Sequence, residues 1–397
     1  MKKLNILTLS IFLTSGLLSS AGDCPSLYGK FTIGGSESAD YSSIKEAAEA
    51  LKCGGVSGPV SFSIEKGIYK ERVLISSIPG ASASNPITFE SRSGNNTDVV
   101  IDYSTGDATV NLNGSSFLSF ENLTIDHKAA VYGNCVRVDG NASNLRFKNV
   151  IFEGVEVARP GANNATVYFA ANSPKTDIAF EDCEINNGSC GIYKGGVNEE
   201  MQDSKTRITG TLFFNQFESG LALTNEDAPV ITNNVFSTLS SYVGFKAINL
   251  DNVNNNVILS NNIINAANGT YGLAMHNCQA QATHPAQISN NSIAVGGNGE
   301  AYGIHLSGNT DNQIINFNRV KLTINGKVQE NQAYYKNVGS GNNVNMMNDL
   351  MYDLNTGGYT ILGNTYKDMF NQLPGQSNPS LAVSANGIMI EKVSPMK

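Results

Sequence analysis

Phe120-Glu-Asn-Leu-Thr-Ile125 is one copy of a six-residue pattern, apolar, any, Asn-like, any, any, apolar, whose repetition decides the fold. The pattern recurs as Phe147-Lys-Asn-Val-Ile-Phe152, Phe180-Glu-Asp-Cys-Glu-Ile185, Ile208-Thr-Gly-Thr-Leu-Phe213 and Ile231-Thr-Asn-Asn-Val-Phe236. Leu259-Ser-Asn-Asn-Ile-Ile264, Ile288-Ser-Asn-Asn-Ser-Ile293 and a degenerate Ile315-Asn-Phe-Asn-Arg-Val320 complete the series. The eight copies begin 27, 33, 28, 23, 28, 29 and 27 residues apart, a period of about 28. Between them lie short segments that alternate apolar and polar with period two, as half-buried strands do. Val136-Arg-Val-Asp139, Leu221-Ala-Leu-Thr224 and Ile248-Asn-Leu-Asp251 are examples. Asn or Gly follows each within a few residues, supplying the left-handed backbone that a tight corner requires.

A turn of about 28 residues is too short for a propeller blade and lacks the leucine consensus of a leucine-rich repeat. The architecture it predicts is an all-β, single-stranded, right-handed parallel β-helix of about ten coils, in which equivalent residues stack about 4.7–4.9 Å apart. Asn at the third motif position (122, 149, 233, 261, 290) is expected at the coil corners. Asn at the fourth position (234, 262, 291, 318) is expected to form a side-chain amide ladder along the axis.

Composition agrees. Of 397 residues, 50 are Asn and 39 are Gly, and only 15% are charged, which does not fit an ordinary helical globule. A net charge of −8 without any Lys/Arg-rich stretch excludes a nucleic-acid partner.

Residues 1–21 read as a signal peptide. Lys2 and Lys3 precede an apolar stretch from Ile6 to Leu18, and Ser19, Ser20 and Ala21 lead to a cut before Gly22. The apolar core is too short to span a bilayer, and no later segment could do so. The expected location is outside the cell, secreted or at its surface, with the periplasm as a variant. Residues 22–55 form an N-terminal cap, where Ser42 or Ser43 caps a helix whose apolar stripe is Ile44, Ala47, Ala48 and Leu51. Residues 56–333 form the β-helix, and 334–397 the last coils and a cap, with a short helical stretch around 366–372. Of the six Cys, 24 and 53 bracket the helix and could staple it, and 183 and 190 could close a small loop; six Cys allow fifteen pairings.

Tyr41-Ser-Ser-Ile-Lys-Glu-Ala-Ala-Glu-Ala-Leu51 followed by Val60-Ser-Phe-Ser-Ile-Glu-Lys-Gly-Ile-Tyr-Lys-Glu-Arg-Val-Leu-Ile75 resembles the start of the pectin methylesterase family. That resemblance covers about 35 residues and implies a β-helix of the pectin-lyase-like group. It does not extend to the esterase site, which uses Gln-Asp-Thr-Leu, Asp-Phe-Ile-Phe-Gly and Arg-Pro-Trp segments. The corresponding stretches here are Phe152-Glu-Gly-Val-Glu-Val-Ala-Arg159 and Cys190-Gly-Ile-Tyr-Lys-Gly-Gly196, and the chain has no Trp. The wider group includes polysaccharide lyases, which place a Lys or Arg base near acidic calcium ligands, and hydrolases with paired Asp residues.

Stacking the alternating segments creates two outward columns. One reads Arg137, Tyr168, Tyr193, Ala222, Asn249, Ala274 and His305, and the other contains Asp139, Ala170, Thr224, Asp251, His276 and Ser307. His276 is expected one coil from Asp251, a spacing suited to a carboxylate-oriented general base. Arg137 and Lys194 are candidates for holding a uronate carboxylate, Tyr168 and Tyr193 for stacking on sugar rings, and Asp139, Asn249 and His305 for further contacts. Glu226 and Asp227 add an acidic pair near this face, while His127 and His284 read as loop residues. No Cys/His spacing suggests a metal site, and calcium enters only if the protein is a lyase. The same columns also fit a solvated sheet face. The expected partner is an extracellular polysaccharide, bound or processed; the alternative is a non-catalytic surface, matrix or adhesion protein.

Overall fold

A computed structural model shows how the repeat folds. It describes residues 24–362, except 129–131, 239, 241, 267, 269–270, 298–299, 325–331, 339–342, 348 and 354–357, together with 381–384 and 387–390. The expected signal peptide and the helical stretch around 366–372 lie outside the described residues.

The chain winds into a parallel β-solenoid of about eleven turns, right-handed as parallel crossovers are. Each turn carries up to three strands. In one coil these are Val230–Thr232, Val235–Thr238 and Lys246–Asn254, called here the first, second and third tracks. Every track pairs in parallel with its equivalents above and below, as in Ile231 with Leu259, Phe236 with Ile264 and Ile248 with Leu273.

The six-residue pattern is the corner between the first and second tracks. Its first and last residues point inward, and successive coils stack them. Phe62, Phe89, Phe120, Phe147 and Phe180 form a column with ring centroids 4.7, 5.4, 5.7 and 4.9 Å apart. Ile208, Ile231, Leu259, Ile288 and Ile315 continue it. Each of these side chains is fully buried or nearly so, and burial of an aliphatic or aromatic side chain contributes about 1.5–3 kcal/mol.

The third motif position is left-handed in all eight copies, with φ between 51° and 64° at Asn122, Asn149, Asp182, Gly210, Asn233, Asn261, Asn290 and Phe317. That conformation explains the Asn excess, since Asn tolerates it better than other residues with a side chain. The fourth position turns inward. Leu123, Val150 and Cys183 fill it in earlier coils, and Asn234, Asn262, Asn291 and Asn318 form the buried ladder in later ones. Asn234, Asn262 and Asn291 each donate both to a backbone carbonyl and to the next amide. Asn262 Nδ2, for example, reaches Ile231 O and Asn291 Oδ1, each at 2.9 Å.

The N-terminal helix, Ile44–Gly54, covers the open end of the stack with Ile44, Ala47, Ala48 and Leu51 buried. Ser43 caps it by accepting from Glu46 N. Glu71, from the Lys-Gly-x-Tyr-x-Glu turn, accepts from Ile44 N and Lys45 N at 2.9 Å, placing a carboxylate at the positive end of the helix. A disulfide joins Cys24 to Cys53. Cys183 and Cys190 do not pair; Cys183 lies inside with its thiol toward Phe147 O, and Cys190 lines the outer face of the third track.

At the far end the parallel stack continues past the last motif through Gln332–Val338, Val344–Met347 and Asp349–Asp353. Gly358–Leu362 then pairs antiparallel with Asp349–Asp353 and ends the parallel stack. Among the described residues no helix is long and apolar enough to cross a membrane.

Candidate functional site

The third-track strands pair in a register that aligns Arg137, Tyr168, Tyr193, Ala222, Asn249, Ala274 and His305 in one outward column. Gly195, Thr224, Asp251, His276 and Ser307 align in the other.

The residues proposed from sequence behave differently from one another. Arg137 and Asp139 are already committed: the guanidinium holds both carboxylate oxygens at 2.9 and 3.1 Å and lies 4.8 Å from the Tyr168 ring centroid. Lys194 is a correction. It is two residues from inward Ile192, so strand alternation turns it into the solenoid, aligned with Phe169 and Leu223. Buried there, it cannot meet a uronate; its ammonium donates to Asp203 at 2.7 Å and to Glu226. Glu226 is likewise interior, not part of the outer face. His276 stands one coil from Asp251, but its Nδ1 pairs with Ser307 Oγ on the following coil at 3.1 Å, so Asp251 does not orient it. His127 lies just past the strand Thr124–Asp126, in a loop as expected, and is fully buried there.

Tyr193, Asn249 and part of the first column line a cleft of about 350 Å³. Its floor is Ser219, Ala222, Lys246 and Asn249, and Tyr193 and Tyr271 stand at its two ends along the axis. The Tyr193 ring is stacked on Tyr168 at 5.6 Å and the Tyr271 ring on Tyr302 at 5.2 Å. Beyond Tyr271 the rings of His305 and Tyr335 extend the cluster, stacked 4.7 Å apart.

Two loops wall the side nearest the strand starts. One contributes Ala162, from a short 3-10 turn, Ala162–Asn164. It is pinned by Glu218, whose Oε2 accepts from Gly161 N at 2.8 Å, and by Ser189, whose hydroxyl donates to Gly161 O at 2.6 Å. The other brings Tyr242 and Gly244, anchored where Ser240 Oγ donates to Phe217 O at 2.6 Å and Tyr242 packs on Phe217. The outer face is therefore a walled cleft over this stretch, not a bare sheet.

Lys246, Tyr271, Ser219 and Cys190 escape simple alternation because each coil carries a local bulge. In Cys190-Gly-Ile-Tyr193, Ser219-Gly-Leu-Ala222, Lys246-Ala-Ile-Asn249 and Tyr271-Gly-Leu-Ala274, the second residue faces the interior beside the third. It must be small. A Cβ on Gly220 would lie 2.6 Å from the Phe236 ring, and one on Gly272 would lie 2.4 Å from Ile293. The repeated x-[Gly/Ala]-[Ile/Leu]-x signature is the signal that finds these outward residues.

Burial raises the Tyr193 phenol above its ordinary value, with nearby Tyr168, Cys190, Glu218 and Asp251 adding to it. Burial pushes the Cys190 thiol up to about 12, which leaves it a poor nucleophile at neutral pH. No hydrogen bond or ion pair among the described residues engages the Lys246 ammonium, the Asn249 amide, the Asp251 carboxylate or the Tyr193 and Tyr271 hydroxyls. Lys246 instead lies 5.8 Å from the Tyr271 ring centroid. Partly buried polar groups left uncommitted between aromatic faces suit a ligand rich in hydroxyls, with ring faces to stack. No group of three or more His, Cys, Asp or Glu side chains that could hold a metal occurs among the described residues.

No family model matches the sequence, and no curated sequence is detectably similar. Solved structures are. The GH136 lacto-N-biosidase from Eubacterium ramulus, as its selenomethionine derivative, gives a TM-score of 0.50 at 10% identity, covering 80% of this chain and 68% of that one. The fold is what they share. Pectin methylesterase from Aspergillus niger, in deglycosylated form, gives 0.41 at 15% identity over 81% and 87% of the two chains. PfbA, a surface adhesin of Streptococcus pneumoniae, gives 0.40 at 13% over 88% and 96%. Such neighbours are right-handed β-helices, and at these identities no residue role passes from them to this chain.

Proposed function

We propose that this protein works outside the cell and binds a polysaccharide in the cleft between Tyr193 and Tyr271. The observation that carries the reading is a set of uncommitted polar groups: Lys246 and Asn249 between two aromatic faces, the hydroxyls of the two Tyr that form those faces, and Asp251 just beyond Asn249. Other polar side chains are paired with one another, as in the Asn ladder, Arg137–Asp139 and Lys194–Asp203. The basic, apolar N-terminus and the Cys24–Cys53 disulfide support an extracellular site of action. So does the kind of neighbour that shares the fold, which includes enzymes of polysaccharides and a surface adhesin.

Processing of the bound glycan is a second reading, favoured by one observation: two carboxylates flank the cleft, Glu218 in its wall and Asp251 two residues beyond Asn249 of its floor. The test is a panel of neutral and acidic polysaccharides, with and without calcium, scored for binding, reducing ends and unsaturated products. Binding that weakens on Tyr193→Ala and Tyr271→Ala supports the proposal. A panel without any binding partner ends it, and binding without products leaves only the adhesive form.

A further inference from the structure

The cleft is closed on three sides, and this bears on which part of a glycan it accepts. Along the axis Tyr193 and Tyr271 are three coil steps apart through Ala222 and Asn249, about 14 Å at ordinary strand spacing. Each of these rings has one face covered by a neighbouring ring, Tyr168 or Tyr302. A chain lying along the solenoid would meet a standing aromatic ring in either direction. Across the axis, the side nearest the strand starts is blocked by Ala162, Glu218 and Tyr242. Glu218 holds that wall in place through Gly161 while its second carboxylate oxygen stays unbonded among the described residues. The remaining side follows the strands toward Thr224, Asp251 and His276, where the imidazole is exposed.

We infer that the cleft is a blind pocket that receives the end of a glycan chain, entering past Asp251 and His276, and not a groove through which a chain passes. The inference rests on the glycan-binding reading and narrows it. The terminal sugar sits on Ala222 and Asn249 between the two aromatic ends. Its hydroxyls reach the free oxygen of Glu218 and the ammonium of Lys246. The first glycosidic linkage lies at the mouth, beside Asp251. Because the pocket has no second exit, sugars beyond the first few contribute nothing to affinity.

The experiment compares one polysaccharide with its own fragments, using polygalacturonate, alginate and linear β-1,3- and β-1,4-glucans as probes. Each is shortened by limited acid hydrolysis and sized, and binding to the whole protein is measured per mass of glycan. End recognition makes the half-saturating mass concentration fall in proportion to chain length, about tenfold for a tenfold shortening, by simple mass action. Borohydride reduction then shows which end is read: it abolishes binding if the reducing end enters and leaves it unchanged otherwise. A mass concentration that stays constant through the shortening, until fragments become smaller than the site, overturns the inference while glycan binding itself stands. Absence of binding to every probe at every length overturns both.

Discussion

The Lys194 ammonium meets the carboxylates of Asp203, at 2.7 Å, and of Glu226 inside the solenoid, with all three side chains withdrawn from water. The remaining carboxylate oxygens are also satisfied, Asp203 by Lys175 N at 2.7 Å and Glu226 by Thr206 N at 3.2 Å. Burial holds the Glu226 carboxyl above its ordinary value, and the Lys194 charge opposes that rise.

Removing that partner should cost more than the pair contributes. Lys194→Met is expected to destabilise by about 3–5 kcal/mol, because two buried carboxylates lose their counter-charge. Adding Asp203→Asn and Glu226→Gln, which keep the acceptor oxygens, should restore part of the loss. Urea unfolding of the single and triple variants measures both. Equal stability of Lys194→Met and the parent chain would contradict the assignment of the cluster as a structural ion pair.

The amide ladder makes a sharper contrast between adjacent residues. Asn262→Ala removes the donor to Ile231 O and the acceptor of Asn234 N, at 2.9 and 3.0 Å, deep in the core. An unsatisfied buried group costs about 1–3 kcal/mol, so a loss of at least about 2 kcal/mol is expected. Its neighbour Asn261, at φ 58°, serves the corner by conformation. Asn261→Gly should therefore change stability by less than about 1 kcal/mol. Similar effects at the two positions would show that the corner and the ladder are not the separate devices the geometry indicates.

Stability should also fall on mild acidification through His127. The ring is buried against Gly133, with Nδ1 3.0 Å from Thr109 Oγ1, and burial lowers its pKa below the ordinary 6.5. The unfolded chain takes up the proton first. The contribution is therefore complete above the unfolded value and lost as pH falls from about 6.5 toward the native value. Half-buried His305 is shifted the same way, chiefly by burial. His127→Gln should flatten the dependence of the urea midpoint on pH between about 7.5 and 5.5, leaving the smaller slope from His305. An unchanged slope would remove His127 from the account.

Much of this architecture was legible in the sequence because it repeats. The corner pattern announced the inward columns and the left-handed Asn positions 122, 149, 233, 261 and 290; Phe317 of the degenerate copy shares the conformation, at φ 57°. The site was legible only in part. Alternation placed Tyr193 and Asn249 on the outer face, but Lys194 occupies an apolar position in that same alternation, and only its polar character suggested an outward role. Its partners Asp203 and Glu226 come from the short strand Asp203–Ser204 and from the next coil, a proximity no local pattern encodes. Lys246 and Tyr271 were hidden by the bulge, whose Gly or Ala shifts the phase by one residue. The wall loops around Gly161 and Tyr242 interrupt the repeat, and irregular segments carry no periodic signal.

The most direct measurement fills the cleft. Ala222 faces outward on its floor, so Ala222→Trp places a large ring between Tyr193 and Tyr271 without entering the core. Calorimetric titration with a polysaccharide that binds the parent protein should then show affinity reduced at least about tenfold, or about 1.4 kcal/mol. The urea midpoint should stay close to the parent value, as expected for an outward substitution. Undiminished binding by Ala222→Trp would contradict the account, because the glycan would then lie somewhere other than this cleft.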